Sequence, residues 1–187
     1  MFKENERQPE GFSVALGEAL DNLALNDAGL IPVIAQQYDT GEVLMFAWMN
    51  REAIEETLRT GRVCYYSRSR GTLWRKGESS GQVQTLRELR VDCDGDVLLA
   101  RVDQTGPACH TGRRDCFYWK LDGDRATIDK TPLIDPAELY KKTPRNKPEP
   151  GPHPDAETAQ HPHRHQGRLR SAGPESRDAL CVRSHGL

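Results

Sequence analysis

The chain has 187 residues, 36% of them hydrophobic and 29% charged, and its formal net charge is −2. This length suits one domain with a proper core, and the near-neutral charge gives no reason to expect a protein that binds nucleic acid or a membrane surface. No apolar signal segment and no run of about 18 apolar residues occurs, so we expect no membrane span and a cytoplasmic location.

The spacing of apolar residues predicts the secondary structure. The predicted elements are, in chain order, a helix over 12–25, strands over 32–38 and 42–49, a helix over 52–58, and strands over 63–67, 82–92, 97–103 and 116–121. The turn residues Asp39, Thr40 and Gly41 join the first two strands as a hairpin. Asn50 is a good N-cap for the second helix, and Gly61 ends that helix.

This order predicts an α+β fold that is predominantly β. We expect a small mixed or antiparallel sheet with one or two short helices, because consecutive strands without crossover helices do not build a doubly wound sheet. The chain divides into an N-terminal extension, 1–29, which is partly helical, a folded domain, 30–140, and a tail, 141–187. The tail holds seven of the 12 prolines and five of the six histidines, a composition typical of disorder.

The stretch Asp92-Cys93-Asp94-Gly95-Asp96 sets three carboxylates at alternate positions. On an extended strand, Asp92, Asp94 and Asp96 would share one face, and Cys93 would point to the other. A turn at Asp94-Gly95 would instead carry the third carboxylate round a bend. Either geometry separates an oxygen cluster suited to Mg²⁺ from a thiol suited to Zn²⁺, although a solvated acidic turn has the same pattern.

Three cysteines, Cys93, Cys109 and Cys116, could supply the three protein ligands of a catalytic zinc site, which keeps one position open. Their spacings do not match the paired C-x₂-C of a zinc ribbon, so three core cysteines are the alternative interpretation. Cys64 lies in the middle of a predicted strand, and a core position explains it better. His110 follows a candidate ligand and could carry protons near the metal, or could lie on the surface of a loop.

The segment from residue 68 to residue 81 is basic and rich in small residues. The small residues would let a ligand approach the backbone, the cationic side chains could bind phosphate, and Trp74 could stack on a base. The candidate binding residues are Arg68, Arg70, Trp74, Lys76, Gly77, Glu78, Ser80 and Gly81. Taken alone, such a loop is weak evidence, because solvated surface loops often have this composition.

Together, these segments resemble the phosphoribosyl-AMP cyclohydrolase family of histidine biosynthesis. The resemblance rests on the stretches 41–50, 66–70, 73–81, 92–96, 106–112 and 116–117, and it covers roughly residues 30–121. It implies a homodimer with a barrel-like, mostly β fold. It also implies Mg²⁺ on the three aspartates and Zn²⁺ on the three cysteines, with Cys93 given by one subunit and Cys109 and Cys116 by its partner.

The resemblance implies a hydrolase that opens the adenine ring of 1-(5-phosphoribosyl)-AMP, the third step of histidine biosynthesis. In that reaction, water attacks C6 and the N1–C6 bond breaks, with zinc activating the water. His110 is the candidate for proton transfer, and the basic loop is the candidate for holding the nucleotide. Some relatives carry a fused pyrophosphohydrolase domain, which a short Pro-rich tail cannot build, so we expect the monofunctional form.

Two other classes of function are alternatives. A non-enzymatic, zinc-stabilised module could bind a nucleotide or RNA, but it would need His110 as the fourth ligand of a closed zinc site. A nucleobase deaminase would carry H-x-E and P-C-x-x-C signatures, and neither occurs. The predicted partners are therefore a small-molecule nucleotide and a second copy of the chain, with no nucleic acid and no membrane.

Overall fold

The computed structural model describes residues 1–141 of the chain. Its helices are α1 (Leu16–Asp21), α2 (Arg51–Thr60) and α3 (Pro136–Leu139), with a 3₁₀ turn at Lys3–Asn5. Its strands are β1 (Ile31–Gln37), β2 (Val43–Met49), β3 (Cys64–Ser67), β4 (Thr72–Arg75), β5 (Gln84–Val91), β6 (Leu98–Gln104), β7 (Trp119–Asp122) and β8 (Arg125–Ile128). None of these helices has the length and apolar character that crossing a membrane requires.

Four strands form the main sheet, in the order β2-β1-β6-β5. β1 pairs antiparallel with β2 and parallel with β6, while β5 pairs antiparallel with β6. Every second residue of β1 and β6 is buried, because successive side chains of a strand point to opposite faces. Those side chains pack with Leu44, Ile54 and Tyr65, which are all fully buried, so the hydrophobic core lies against the central strands of the sheet.

Helix α2 begins and ends where the sequence predicts. The Asn50 side chain accepts a hydrogen bond from the Ala53 amide at 2.9 Å, and Gly61 ends the helix in the left-handed conformation at φ 68°. The Thr57 hydroxyl accepts a hydrogen bond from the Cys64 amide at 2.9 Å, inside the core. This bond fixes the helix to β3, and with it the position of the β3–β4 hairpin.

Two antiparallel hairpins complete the fold. β3 pairs with β4, and β7 pairs with β8. Cys64 is buried in β3, as predicted, and Trp74 of β4 packs against the Tyr65 ring with 5.4 Å between centroids. All eight residues of β7 and β8 are exposed, so this second hairpin projects from the described part of the chain.

The predicted α+β class, predominantly β with few short helices, is confirmed. The barrel-like closure implied by the family resemblance is wrong for the described chain, which has three separate sheets. The main sheet stays open because, among residues 1–141, its edge strands β2 and β5 pair only with β1 and β6 respectively. The predicted disordered tail beyond residue 141 lies outside the described residues.

The N-terminal helix is shorter than predicted. It covers Leu16–Asp21 instead of 12–25, because the chain after it makes other hydrogen bonds. The Ala24 amide donates to the Gly95 carbonyl at 2.8 Å, and the Asn26 side chain accepts from the Leu30 amide at 3.0 Å. The first of these bonds joins the extension to the loop between β5 and β6, and the second closes the turn before β1.

The strands β4 and β8, the helix α3 and the 3₁₀ turn at Lys3–Asn5 were not predicted. The strand expected at 116–121 begins later, at Trp119. β4 falls in the basic segment, whose glycines and charges predict a loop. The late start of β7 has a local cause: the Asp115 side chain accepts a hydrogen bond from the Phe117 amide at 2.8 Å, which makes a turn at Cys116.

Candidate functional site

A cavity of about 340 Å³ opens between the loop after β4 and the loop after β6. Its lining residues are Met45, Arg70, Leu73–Ser80, Gln82, Pro107–His110, Cys116, Leu139 and Tyr140. The volume is within the range of small-molecule sites in proteins. The cavity thus brings two candidate zinc ligands, His110 and most of the candidate nucleotide-binding residues into one place.

The cysteine loop, defined as residues 105–118, carries one wall of this cavity. It folds back on itself through backbone hydrogen bonds between residues 108–109 and 113–114. Arg114 anchors it to the main sheet, with Nε donating to Glu42 Oε2 and Nη2 donating to Gln37 Oε1, both at 2.9 Å. The loop is therefore held by the sheet at its base.

The loop places Cys109 and Cys116 side by side. Their thiols are close enough to hydrogen-bond each other, and the Thr111 hydroxyl donates to Cys109 Sγ at 3.1 Å. The Cys116 amide donates to the Leu44 carbonyl of β2 at 2.8 Å, which fixes the backbone of the second cysteine. Two adjacent sulfur ligands could occupy two of the four positions around a tetrahedral zinc ion.

The surroundings of Cys116 favour its protonated form in the absence of a cation. Although part of Cys116 reaches solvent, burial and the adjacent Cys109 raise the pKa of its thiol to about 12, against the opposing charge of Lys76. Burial lowers the pKa of Lys76, which is 6% exposed and donates to the Gln82 carbonyl at 3.3 Å. A metal binding to Cys116 would consequently have to displace a proton.

Cys93 does not join the other two cysteines within one chain. It is exposed in the loop between β5 and β6 and is not among the residues that line the cavity. Among residues 1–141, the three aspartates are the only set of three or more Cys, His, Asp or Glu side chains clustered tightly enough for a metal. A single chain therefore offers two of the three predicted sulfur ligands at the cavity.

The acidic loop, defined as residues 92–96, brings its three carboxylates together by a turn. Ligand oxygens of Asp92, Asp94 and Asp96 all lie within 4.8 Å of one another. Asp92 Oδ1 accepts hydrogen bonds from the amides of Gly95 and Asp96 at 3.0 Å and Val97 at 3.2 Å, which closes the bend. Of the two geometries left open by the sequence, the turn is the one observed.

The three carboxylates are not equivalent. Burial alone would raise the pKa of Asp92, but hydrogen bonds from the Val97, Asp96 and Gly95 amides outweigh it and lower that pKa. The pKa of Asp96 is raised by its hydrogen bond to Asp92 and by the charge of Asp94. Oxygen ligands in this arrangement fit Mg²⁺ in donor type and charge.

The N-terminal segment covers one side of the acidic loop. Lys3 Nζ lies 3.4 Å from Asp94 Oδ2. The Phe2 ring packs so closely on Gly95, at φ 84°, that a Cβ there would lie 2.5 Å from Phe2 Cδ2. The extension, for which the sequence suggests no role, thus contacts the candidate magnesium site.

Most of the predicted nucleotide-binding residues line the cavity, and two do not. Arg70, Trp74, Lys76, Gly77, Glu78 and Ser80 are in the lining, whereas Arg68 and Gly81 are outside it. The Arg68 guanidinium lies over the Trp48 ring, 4.9 Å from its centroid. Arg70 is consequently the better placed of the two arginines for a phosphate in the cavity.

Sequence reasoning missed part of the lining. Leu139, at the end of α3, is buried, and Tyr140 follows it, although both lie at the far boundary of the predicted domain. Asp115 was also missed; it is outside the lining but lies beside a candidate ligand in the chain and is 1% exposed. A usable signal existed in Asp135-Pro136, since Asp at the N-cap and Pro at the first helical position predict a short helix there.

Known proteins give an independent comparison. Residues 45–118 match the family model described as phosphoribosyl-AMP cyclohydrolase. The chain is 78% identical over 142 residues to the phosphoribosyl-AMP cyclohydrolase of Alcanivorax borkumensis, covering 76% of this chain and all of that protein. It is 67% identical over 142 residues to the enzyme of Alkalilimnicola ehrlichii, which covers 76% of this chain and 100% of that protein. It is 64% identical over 140 residues to the enzyme of Halorhodospira halophila, which covers 75% of this chain and 99% of that protein. The predicted resemblance is confirmed, and the chain belongs to the phosphoribosyl-AMP cyclohydrolase family.

Proposed function

We propose that this chain hydrolyses the N1–C6 bond of the adenine ring of phosphoribosyl-AMP in histidine biosynthesis. The relatives carry the name of this enzyme, so the predicted reaction class is confirmed. The observation that carries the proposal to this chain is the cavity, where paired thiols and His110 face a basic loop with an aromatic side chain. Those are the residue types that a metal-assisted hydrolysis of a nucleotide requires.

Cys109 and Cys116 would hold a zinc ion at this cavity, with Cys93 from a second copy of the chain as the third ligand. A zinc ion held there would lower the pKa of bound water, the chemistry that makes hydroxide accessible at neutral pH. The exposure of Cys93 and its absence from the cavity lining support a shared site, because the three sulfur ligands do not meet within the described residues of one chain. The homodimer is thus part of the proposal.

Asp92, Asp94 and Asp96 would hold Mg²⁺. The cation would compete with the Lys3 ammonium for Asp94 and would use the Asp92 oxygen that is not engaged by the loop amides. Its role in this proposal is to bind oxygens of the substrate's phosphate or ribose groups, which Mg²⁺ favours as ligands.

The residues of the cavity have distinct roles in the proposed reaction. Trp74 would stack on the adenine, supported from behind by the Tyr65 ring. Arg70 would bind a phosphate of the substrate, and the Lys76 ammonium would stabilise the negative charge of the thiolates. His110, exposed at the cavity, would accept a proton from the attacking water and deliver it to the ring nitrogen that leaves.

The test is turnover of phosphoribosyl-AMP by the purified protein, followed by absorbance with and without a strong zinc chelator. We expect ring opening that the chelator abolishes and zinc restores. Cys109→Ala should lose zinc and activity together, while Cys64→Ala, which removes a buried thiol of the core, should keep its zinc. Absence of turnover with zinc tightly bound would overturn the proposal and favour a zinc-stabilised nucleotide-binding module.

A further inference from the structure

We propose that the Asp115–Lys130 ion pair is a positioning device that holds Cys116 in place for metal binding. This inference rests on the proposed zinc site and concerns residues that touch neither metal nor substrate. Asp115 is almost completely buried, and its carboxylate lies beside a candidate ligand in the chain. Burying a carboxylate is costly, so a specific set of contacts has to stabilise it.

The Asp115 carboxylate makes two contacts that bracket Cys116. Oδ1 accepts a hydrogen bond from the Phe117 amide at 2.8 Å, which turns the backbone around the cysteine. Oδ2 accepts from Lys130 Nζ, also at 2.8 Å. Together with the bond from the Cys116 amide to the Leu44 carbonyl, these contacts restrict the backbone on both sides of the thiol.

Lys130 is itself held by the segment that returns from the β7–β8 hairpin. Its carbonyl accepts a hydrogen bond from Arg113 Nε at 2.7 Å, and the neighbouring Asp129 amide donates to the Tyr118 carbonyl at 3.2 Å. The cation therefore sits in a defined position over the cysteine loop, 15 residues along the chain from its partner carboxylate.

The return segment lies against the cysteine loop along its length. The Leu133 amide donates to the Gly112 carbonyl at 2.8 Å. A Cβ at Gly112, whose φ is 77°, would lie only 1.9 Å from the Ile134 carbonyl oxygen. Such close packing gives the ion pair a rigid frame, so that losing the pair loosens the thiol specifically.

The experiment compares zinc affinity, measured by competition with a chromogenic chelator, across matched variants of the full chain. Supporting residues around a metal site typically change affinity by about 10- to 100-fold when removed. We expect losses in that range for Lys130→Met and Asp115→Asn, and near wild-type affinity for Lys130→Arg, which keeps the cation. Lys120→Met is the control, because it removes an exposed lysine paired with Asp122 on the same hairpin.

Two further readouts separate positioning from general stability. The absorbance bands of the cobalt-substituted protein report the thiolate geometry, and they should shift in Lys130→Met but not in Lys120→Met. The double variant Asp115→Asn/Lys130→Met should lose no more zinc affinity than the single variant that binds zinc less tightly, because the two residues act as a unit. If Asp115→Asn fails to fold, Lys130→Met still tests the positioning role. Lys130 is half exposed, so we expect its replacement to leave the protein folded.

The outcomes distinguish this inference from the proposed function. Wild-type protein that binds no zinc would overturn both. Zinc-binding wild type with unchanged affinity and cobalt spectra in Lys130→Met would overturn the positioning role alone. Equal losses in Lys130→Met and Lys130→Arg would overturn it as well, because the charge would then not matter.

Discussion

Gly77 shapes the loop that carries Lys76 and Glu78 into the cavity. Its φ is 82°, a left-handed conformation, and the backbone of the returning chain lies close to its Cα. A Cβ at this position would lie 2.6 Å from the carbonyl carbon of Gln82 and from the amide nitrogen of Val83. Only glycine avoids both the conformational strain and the clash with backbone atoms, which cannot move aside as a flexible side chain can.

We predict that Gly77→Ala lowers the free energy of unfolding by roughly 3 kcal/mol and turnover at least about tenfold, because strain and overpacking add at one position. Gly81→Ala is the matched control: its φ is 73°, but no atom of the described part of the chain lies within 4 Å of a Cβ added there. We expect it to cost only about 1 kcal/mol. Urea unfolding and steady-state kinetics measure both effects, and equal losses in the two variants would contradict this account.

At the scale of elements, an ion pair joins helix α2 to strand β4. Arg75 Nε and Nη2 donate to the two carboxylate oxygens of Glu56, at 2.5 and 2.8 Å. The hydrogen bonds from Arg75 hold the pKa of Glu56 below its usual value, and the arginine charge adds to this. The pair ties the helix to the strand that carries Trp74.

Glu56→Gln should therefore destabilise the fold in a pH-dependent way. Since the pKa of Glu56 is lowered on folding, its contribution is complete above the unfolded pKa, near 4.5, and is lost as the pH falls through the lower, folded value. The variant should unfold more easily than wild type at pH 7, with the difference shrinking below pH 4.5. Thermal unfolding of both proteins across this range measures the difference. Glu10→Gln, which removes a carboxylate at an exposed position, is the control.

At the scale of the whole molecule, the β7–β8 hairpin is a candidate surface for the proposed dimer. Cross-strand pairs place Trp119, Leu121, Ala126 and Ile128 on one face, since directly opposite residues of paired strands share a face. Lys120, Asp122, Arg125 and Thr127 occupy the other face. Such a ribbon is marginally stable in water by itself, and its apolar face is exposed in the described chain.

We predict that Leu121→Glu weakens the proposed homodimer, because it puts a charge into the apolar face, where Leu121 is 79% exposed. Lys120→Glu, on the polar face of the same strand, should leave the dimer intact. Sedimentation equilibrium measures the association constant. Unchanged association of the Leu121 variant would place the interface on another surface.

Removing the tail tests how much of the chain the activity needs. The relative from Alcanivorax borkumensis is matched over its full length by 142 residues of this chain. We therefore expect a variant that ends at Lys141 to keep zinc binding and at least half of the wild-type turnover. A larger loss would assign the tail a role in the reaction or in assembly.

The sequence predicted the main strands and α2 well because their signals are local. The predicted strands over 32–38 and 42–49 correspond to β1 and β2. Each end of α2 is set by a single residue, Asn50 at the N-cap and Gly61 at the C-cap. It failed where local signals compete with distant contacts: β4 looks like a loop, and the helix before residue 26 is cut short by a bond to the acidic loop. The predicted cytoplasmic location, the domain boundaries and the metals stay predictions.

The sequence by itself determined the family and identified the candidate ligands. Metal binding depends on particular residue types, and both these types and their spacing can be read directly from the sequence. Only the tertiary structure decided which of them meet. Cys109 and Cys116 lie together because β2 fixes the second cysteine through the Leu44 carbonyl, a contact 72 residues distant in sequence. Cys93 stays apart, and Lys130 reaches Asp115, for the same reason: side chains are brought together by packing between distant segments, which no local pattern records.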